Sequence, residues 1–248
     1  MRVGWITDRP EYVGGAEMTQ REFRAATPVG VEVVDCFPGE VEPGLDRYVA
    51  HNVTQFAADD LKGLDITWYH HDLSPWVKAP VRRLLDAGAH LFCSPLQRDR
   101  YAIDGLCIPP QLDLDRYRPT RQTKRHREGK CSIAAWMNWG KGPDYLREWA
   151  AENGPVDVYG SGGFVPAGPG IENKGELEPD QVATTLFGYK TFVFLPSEIE
   201  PFCRCVVEAW LAGCELVVNR NIGAIHWIKQ HPEKLETAAE DFWDAVLN

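Results

Sequence analysis

Short apolar runs recur along this chain with amphipathic stretches between them, and that alternation constrains the fold more than any other feature. Runs of this length suit buried strands, and the intervening stretches carry the longer period of crossover helices, so the pattern describes a parallel sheet faced by helices. In the first half, strands are expected at residues 3–7, 31–36, 46–50, 65–69, 90–94 and 105–108, with helices at 16–26 and 80–87. A proline-containing, charge-rich stretch near 119–129 breaks the pattern, which resumes with strands at 132–136, 156–159, 191–195 and 215–219. Two α/β units are the simplest account: residues 1–118, residues 119–237, and a terminal amphipathic helix over 238–248 with Phe242, Val246 and Leu247 near one face.

Composition narrows the class. The chain has 248 residues, 44% hydrophobic and 25% charged, which supplies one or two packed cores and excludes a disordered or fibrous protein. No run approaches the ~20 apolar residues that a membrane helix requires, so a cytoplasmic protein without a transmembrane segment is expected. The seven cysteines (36, 93, 107, 131, 203, 205 and 214) are odd in number and mostly sit in apolar surroundings, which suits reduced, buried thiols. Cys203 and Cys205 form a C-x-C pair without a second pair at zinc spacing, so no metal site is expected. The net charge of −10 argues against a surface-wide nucleic-acid footprint. A local basic cluster over residues 116–130 reads either as a solvated linker or as a patch facing an anionic ligand.

The segment FLPSEIEPFCRCVVEAWLAGCELVVNRNIGA, residues 194–224, carries the most chemistry. A strand should end at Leu195 and a helix should run over 201–212 to a stop at Gly213. Glu200 then precedes the helix and Glu208 lies two turns on, about 12 Å away at ~1.5 Å per residue. That separation is too wide for a paired-carboxylate acid/base device, but it suits gripping two ends of one extended ligand.

This segment resembles the E-x7-E signature of retaining glycosyltransferases of the GT-B fold, the family 4-like group, in a chain that is unusually short for it. The resemblance rests on Pro196-Ser197, Glu200-Pro201-Phe202, Glu208-Ala209, Gly213 and the strand after it. It implies two Rossmann-like domains facing across a cleft, with Glu200 on hydroxyls of a donor sugar and Glu208 on the nucleotide ribose. Cys203 stands where the family has glycine after the phenylalanine, and Ile222-Gly223 where it has a glycine pair. Tyr12 to Glu17 is similar to the family's N-terminal glycine loop, placing Gly14 and Gly15 near the donor phosphates. Tyr69-His70-His71-Asp72 looks like the element whose histidine lies near the transferred sugar, a role that falls to His71 with His70 as its alternate. Ser94-Pro95 and residues 108–119 resemble the closing segments of the first domain, so Asp113-Leu114-Asp115 is a hinge and not a metal-binding D-x-D.

The second half opens with residues 134–142, similar to the family's element in which an arginine and a lysine neutralise the departing diphosphate. Lys141 is present. Ala135 or Trp136 occupies the arginine position, and Arg204 is the candidate substitute. Gly160 falls in the glycine-rich turn where the family's base-binding wall begins. The resemblance implies sugar transfer from a nucleotide-sugar with retention at the anomeric carbon, no metal and no other cofactor. A first domain of this size suits a large acceptor: a saccharide, a lipid-linked chain, a protein or a modified DNA base. Trp68, Trp76, Trp136 and Trp139 are candidates for stacking on a sugar or base. The alternative is a non-catalytic nucleotide-sugar-binding module of the same fold. An NAD-type dehydrogenase is disfavoured, because Asp8-Arg9-Pro10-Glu11 stands where G-x-G-x-x-G would follow the first strand.

Overall fold

Every named strand pairs in parallel with its neighbours, as the crossover pattern demands, and the strands form two separate sheets. The computed structural model describes all residues except 10–13, 52, 73–87, 102 and 120–126. The expected helix at 80–87, Trp76, Tyr12 and the centre of the basic cluster lie outside the described residues.

One unit comprises Met1–Leu112 together with Lys229–Asn248, and the other Asp113–Ile228. The first contains β1 (Arg2–Ile6), α1 (Gly15–Ala25), β2 (Glu32–Cys36), β3 (Arg47–Ala50), α2 (Ala58–Leu61), β4 (Ile66–His70), β5 (Ala89–Phe92), α3 (Pro95–Tyr101) and β6 (Leu106–Cys107). Its sheet order is β2-β1-β3-β4-β5-β6. The inner strands β1, β3, β4 and β5 are buried along nearly their whole length, on both faces, so they show no alternation of buried and exposed positions. On one face Ile6, Tyr48, Ala50, Ile66 and Trp68 join Phe56 and Leu61 in a core.

The second unit contains α4 (Leu114–Tyr117), β7 (Lys130–Ile133), a 3₁₀ turn (Trp139–Lys141), α5 (Pro143–Asn153), β8 (Val156–Tyr159), β9 (Ile171–Gly175), α6 (Gln181–Gly188), β10 (Thr191–Phe194), α7 (Arg204–Leu211), β11 (Glu215–Val218) and most of α8 (Ala224–Gln230). Its order is β11-β10-β7-β8-β9. Cys131, Trp136, Val158, Phe192, Phe194, Val206 and Val207 fill its core.

Helix α9 (Ala238–Leu247) belongs to the first unit. Phe242 stacks on Phe23 of α1 at 4.0 Å, and the Trp243 indole N–H donates to the Phe23 carbonyl at 2.9 Å. Both rings are fully buried, which removes roughly 150–250 Å² each from water.

The structure departs from the sequence expectations in identifiable places. The strand expected at 132–136 spans Lys130–Ile133, because the apolar run continues beyond the ladder into a turn whose Trp136 still packs in the core. The exposed edge strand β9, IENKG, lacked any apolar signal and went unforeseen. The helix expected to begin at residue 201 begins at Arg204. The cause lies in the backbone: Glu200 bridges to Ile222 as a strand residue, and Cys203 adopts φ +70, which no helix can contain.

Candidate functional site

In open parallel sheets, ligands bind beyond the carboxyl ends of the strands at the point where strand order reverses. In the second unit that point lies between β7 and β10, since the chain passes from β7 out to β9 and returns on the other side at β10. The loops leaving β7 and β10 therefore meet, and they carry Lys141 and Glu200.

Lys141 Nζ lies 2.8 Å from the Glu200 carboxylate, both side chains being largely buried. Burial pulls the lysine's pKa down, but the charge and hydrogen bond of Glu200 outweigh it, so the net shift is upward and Lys141 is a firm cation. The backbone around the pair is fixed. Glu200 N donates to Asn221 O at 2.7 Å, and Gly223 N donates to Glu200 O at 2.9 Å. The Asn219 and Asn221 side-chain amides both donate to Pro196 O. Ser197 N donates to Gly140 O at 2.9 Å, tying the two loops together. Gly142, at φ +74, allows this approach, because a Cβ there would collide with the Leu195 carbonyl. Gly160 is required in the same way against the Ala134 carbonyl.

Helix α7 adds Arg204 and Glu208, whose charged ends lie 3.6 Å apart and are nearly buried. Tyr117 of α4 is buried nearby. Desolvation and then the Glu208 charge push its phenol pKa upward, so the hydroxyl keeps its proton. Arg204, the candidate substitute for the missing arginine, is thus engaged with Glu208. The thiol of Cys203 is pushed up to about 12, chiefly by desolvation and then by Glu200, and that of Cys205 well above its ordinary value for the same kind of reason. Neither is a nucleophile near neutral pH.

In the first unit, strand order reverses between β1 and β3, and the residue just past β3 is His51. His51 Nδ1 lies 3.0 Å from His71 Nε2, at the end of β4. The backbone beneath His71 is clamped: Cys93 Sγ and Gln97 Nε2 donate to His70 O, and Gln97 Nε2 and Tyr101 Oη donate to Asp72 O. His70 points elsewhere, as alternation along a strand requires. It stacks on Phe92 and meets His90 Nδ1 at 3.0 Å in the core. Burial, then His90 and His71, lower its pKa to about 3. Gly14 and Gly15 open α1, where Glu17 already accepts from Gly14 N at 2.9 Å and supplies a negative partner to the helix terminus.

His51 is the residue that sequence reasoning missed. A signal existed, since the strand was expected to end at residue 50 and the next position is where such sheets present ligand-binding side chains. Among the tryptophans, Trp68 and Trp136 are core, and Trp139 is 58% exposed beside Phe164 at 5.1 Å. Asp113 accepts from Arg116 N and caps α4. Among the described residues no cluster of three or more histidines, cysteines and carboxylates could hold a metal ion, and no helix is long and apolar enough to cross a membrane. All seven cysteines are free thiols.

No protein-family model and no curated protein matches the sequence. Solved structures do match. The Anabaena protein HepE, determined with UDP and glucose, aligns with a TM-score of 0.71 at 14% identity over 100% of this chain and 92% of its own. AviGT4, a glycosyltransferase involved in avilamycin A biosynthesis, aligns at 0.66 and 15% identity, over 99% and 92%. WaaG, a glycosyltransferase involved in lipopolysaccharide biosynthesis, aligns at 0.58 and 11% identity, over 100% and 91%. At these identities the likeness establishes the fold: two Rossmann-like α/β units of the GT-B class.

Proposed function

We propose that the chain is a glycosyltransferase that takes a sugar from a nucleotide-sugar donor, with retention at the anomeric carbon and without a metal ion. The observation that carries this reading is the Lys141–Glu200 pair at 2.8 Å, held at the strand-order reversal of the second unit beside the buried Arg204–Glu208 pair. A nucleoside diphosphate-sugar presents hydroxyls and a diphosphate close together, and a carboxylate beside a firm ammonium matches that pairing. Glu200 accepts from sugar hydroxyls. Lys141, whose ammonium has a third N–H beyond those facing the two Glu200 oxygens, stabilises negative charge as the bond from anomeric carbon to phosphate oxygen breaks. The acceptor oxygen forms the new bond on the same face, and its proton leaves with the diphosphate. By the family resemblance, Glu208 is assigned to the ribose and His71, in the first unit, to the transferred sugar. The same resemblance assigns Gly14, Gly15, Gly160 and Gly223 to donor binding.

HepE was solved with UDP and with UDP-glucose, so uridine diphosphate sugars are the first donors to try. The acceptor is a saccharide, a lipid-linked chain, a protein or a modified base, used in the cytoplasm. The test offers the purified protein a panel of nucleotide-sugars, with and without acceptors, and measures nucleotide release and product anomeric configuration. Release that disappears in Glu200→Ala is expected. Donor binding without release for any donor and acceptor would instead identify a non-catalytic binding module.

A further inference from the structure

His51 has the geometry of a residue that acts on another side chain. It is 7% exposed, its ring stacks on Trp5 at 4.3 Å, and its Nδ1 meets His71 Nε2 at 3.0 Å. Its second nitrogen, Nε2, is buried with no hydrogen-bond partner. We infer that His51 is a positioning residue that donates from Nδ1 to His71 Nε2, fixing His71 as the tautomer that carries its proton on Nδ1.

One proton lies between the two nitrogens, and it belongs to one ring or the other. If it belonged to His71, neutral His51 would carry its own proton on Nε2 as a buried, unpaired N–H. If it belongs to His51, Nε2 is a bare lone pair. Buried N–H groups without partners are rarer in folded proteins than under-satisfied acceptors, which favours the second arrangement. Trp5 offers no escape, since a ring stacked on the imidazole face does not meet an N–H that points outward in the ring plane. Burial, followed by the neighbouring His71 and Arg24, lowers the His51 pKa well below its usual value, which keeps the donor ring neutral.

The consequence for His71 is specific. Its Nε2 lone pair is occupied and its proton sits on Nδ1, so it does not abstract a proton through Nε2. This logic parallels the second group that orients a catalytic or metal-binding histidine, with a neutral imidazole in the place of a carboxylate. The part that concerns sugar transfer rests on the function proposed above; the tautomer does not.

Nitrogen-15 spectra of histidine-labelled protein read the tautomer directly, with His71→Gln to assign the signal. The expected wild-type pattern has His71 protonated at Nδ1 and bare at Nε2. His51→Phe, which keeps the stack on Trp5 and removes the donor, should release His71 to the Nε2-protonated form. His51→Asn, which restores a donor near the Nδ1 position, should retain the wild-type pattern and covers the case in which His51→Phe does not fold. An Nε2-protonated His71 in the wild type, or a pattern unchanged in His51→Phe, overturns the inference. In transferase assays His51→Phe should lower kcat about tenfold with the donor KM within about twofold, and His51→Asn should recover most of the loss. If no donor is turned over but the tautomer result holds, the functional reading fails and the assignment of His51 stands.

Discussion

At the scale of single residues, Cys203 holds a backbone geometry that suits glycine better than any L-residue. Its φ of +70 makes it the one non-glycine residue with positive φ among those described, and it stands where the resembled family has glycine. A left-handed conformation costs an L-residue about 1–2 kcal/mol, and glycine gives back roughly 0.5–1 kcal/mol through unfolded-state entropy. Cys203→Gly should therefore raise the melting temperature slightly, by up to about 1 kcal/mol of stability, whereas Cys203→Val should lower stability by at least 2 kcal/mol, since branching at Cβ aggravates the strain. A chemical-denaturation series measures both, and a stabilised valine variant would refute the strain. The Lys141–Glu200 pair makes a second prediction. The folded-state pKa of Lys141 lies above its unfolded value of 10.5, so its contribution to stability is complete below about pH 10.5 and fades as pH rises through the folded value. Glu200→Gln should cost roughly 1–3 kcal/mol at pH 8 and flatten that alkaline decline. An unchanged alkaline limb in the variant would show that the pair carries no coupling. The sequence pointed to both members of this pair, but not to their contact, which depends on two loops fixed by backbone hydrogen bonds.

At the scale of elements, histidines link three neighbouring strands of the first sheet, one pair past the ends of β3 and β4 and one inside the core between β4 and β5. His51 meets His71, and His70 meets His90, each pair at 3.0 Å. His51 and His70 are held neutral by burial, His70 down to about pKa 3. Their folded pKa values lie below the unfolded value near 6.5, so the unfolded chain takes up protons first and stability falls as pH drops below 6.5. Each group contributes a slope of up to about 1.4 kcal/mol per pH unit until its folded pKa is reached. Thermal melts between pH 7 and pH 4 should show this decline, and His70→Phe should make it shallower; a parallel decline in that variant would rule out the assignment. This arrangement was only half legible. Strand positions followed from apolar runs to within one or two residues, so the ends of β3 and β4 could be found. Pairing between histidines twenty positions apart depends on the register of those strands, aligned as Ala50 with Trp68, which periodicity does not encode. The start of α7 was misjudged for a related reason, since a bridge between Glu200 and Ile222 is a tertiary contact that local propensity cannot see.

At the scale of the whole molecule, α/β alternation made the two sheets legible. Helix α9 ties the far end of the chain to the first unit through Phe242 and Trp243, both packed near Trp5 and Phe23. Trp243→Ala should cost about 3–5 kcal/mol and raise hydrogen exchange across β1, α1 and β4 more than across β7, β8 and β10. Equal loss of protection in both sheets would contradict that division. The return of the chain to its first unit also orders events during synthesis. The aromatic seat formed by Trp5 and Phe23 is made before the second unit, while the rings that cover it follow only after the whole of that unit. The later-made unit can therefore complete its sheet first, and the earlier-made unit waits with an apolar face open to chaperones.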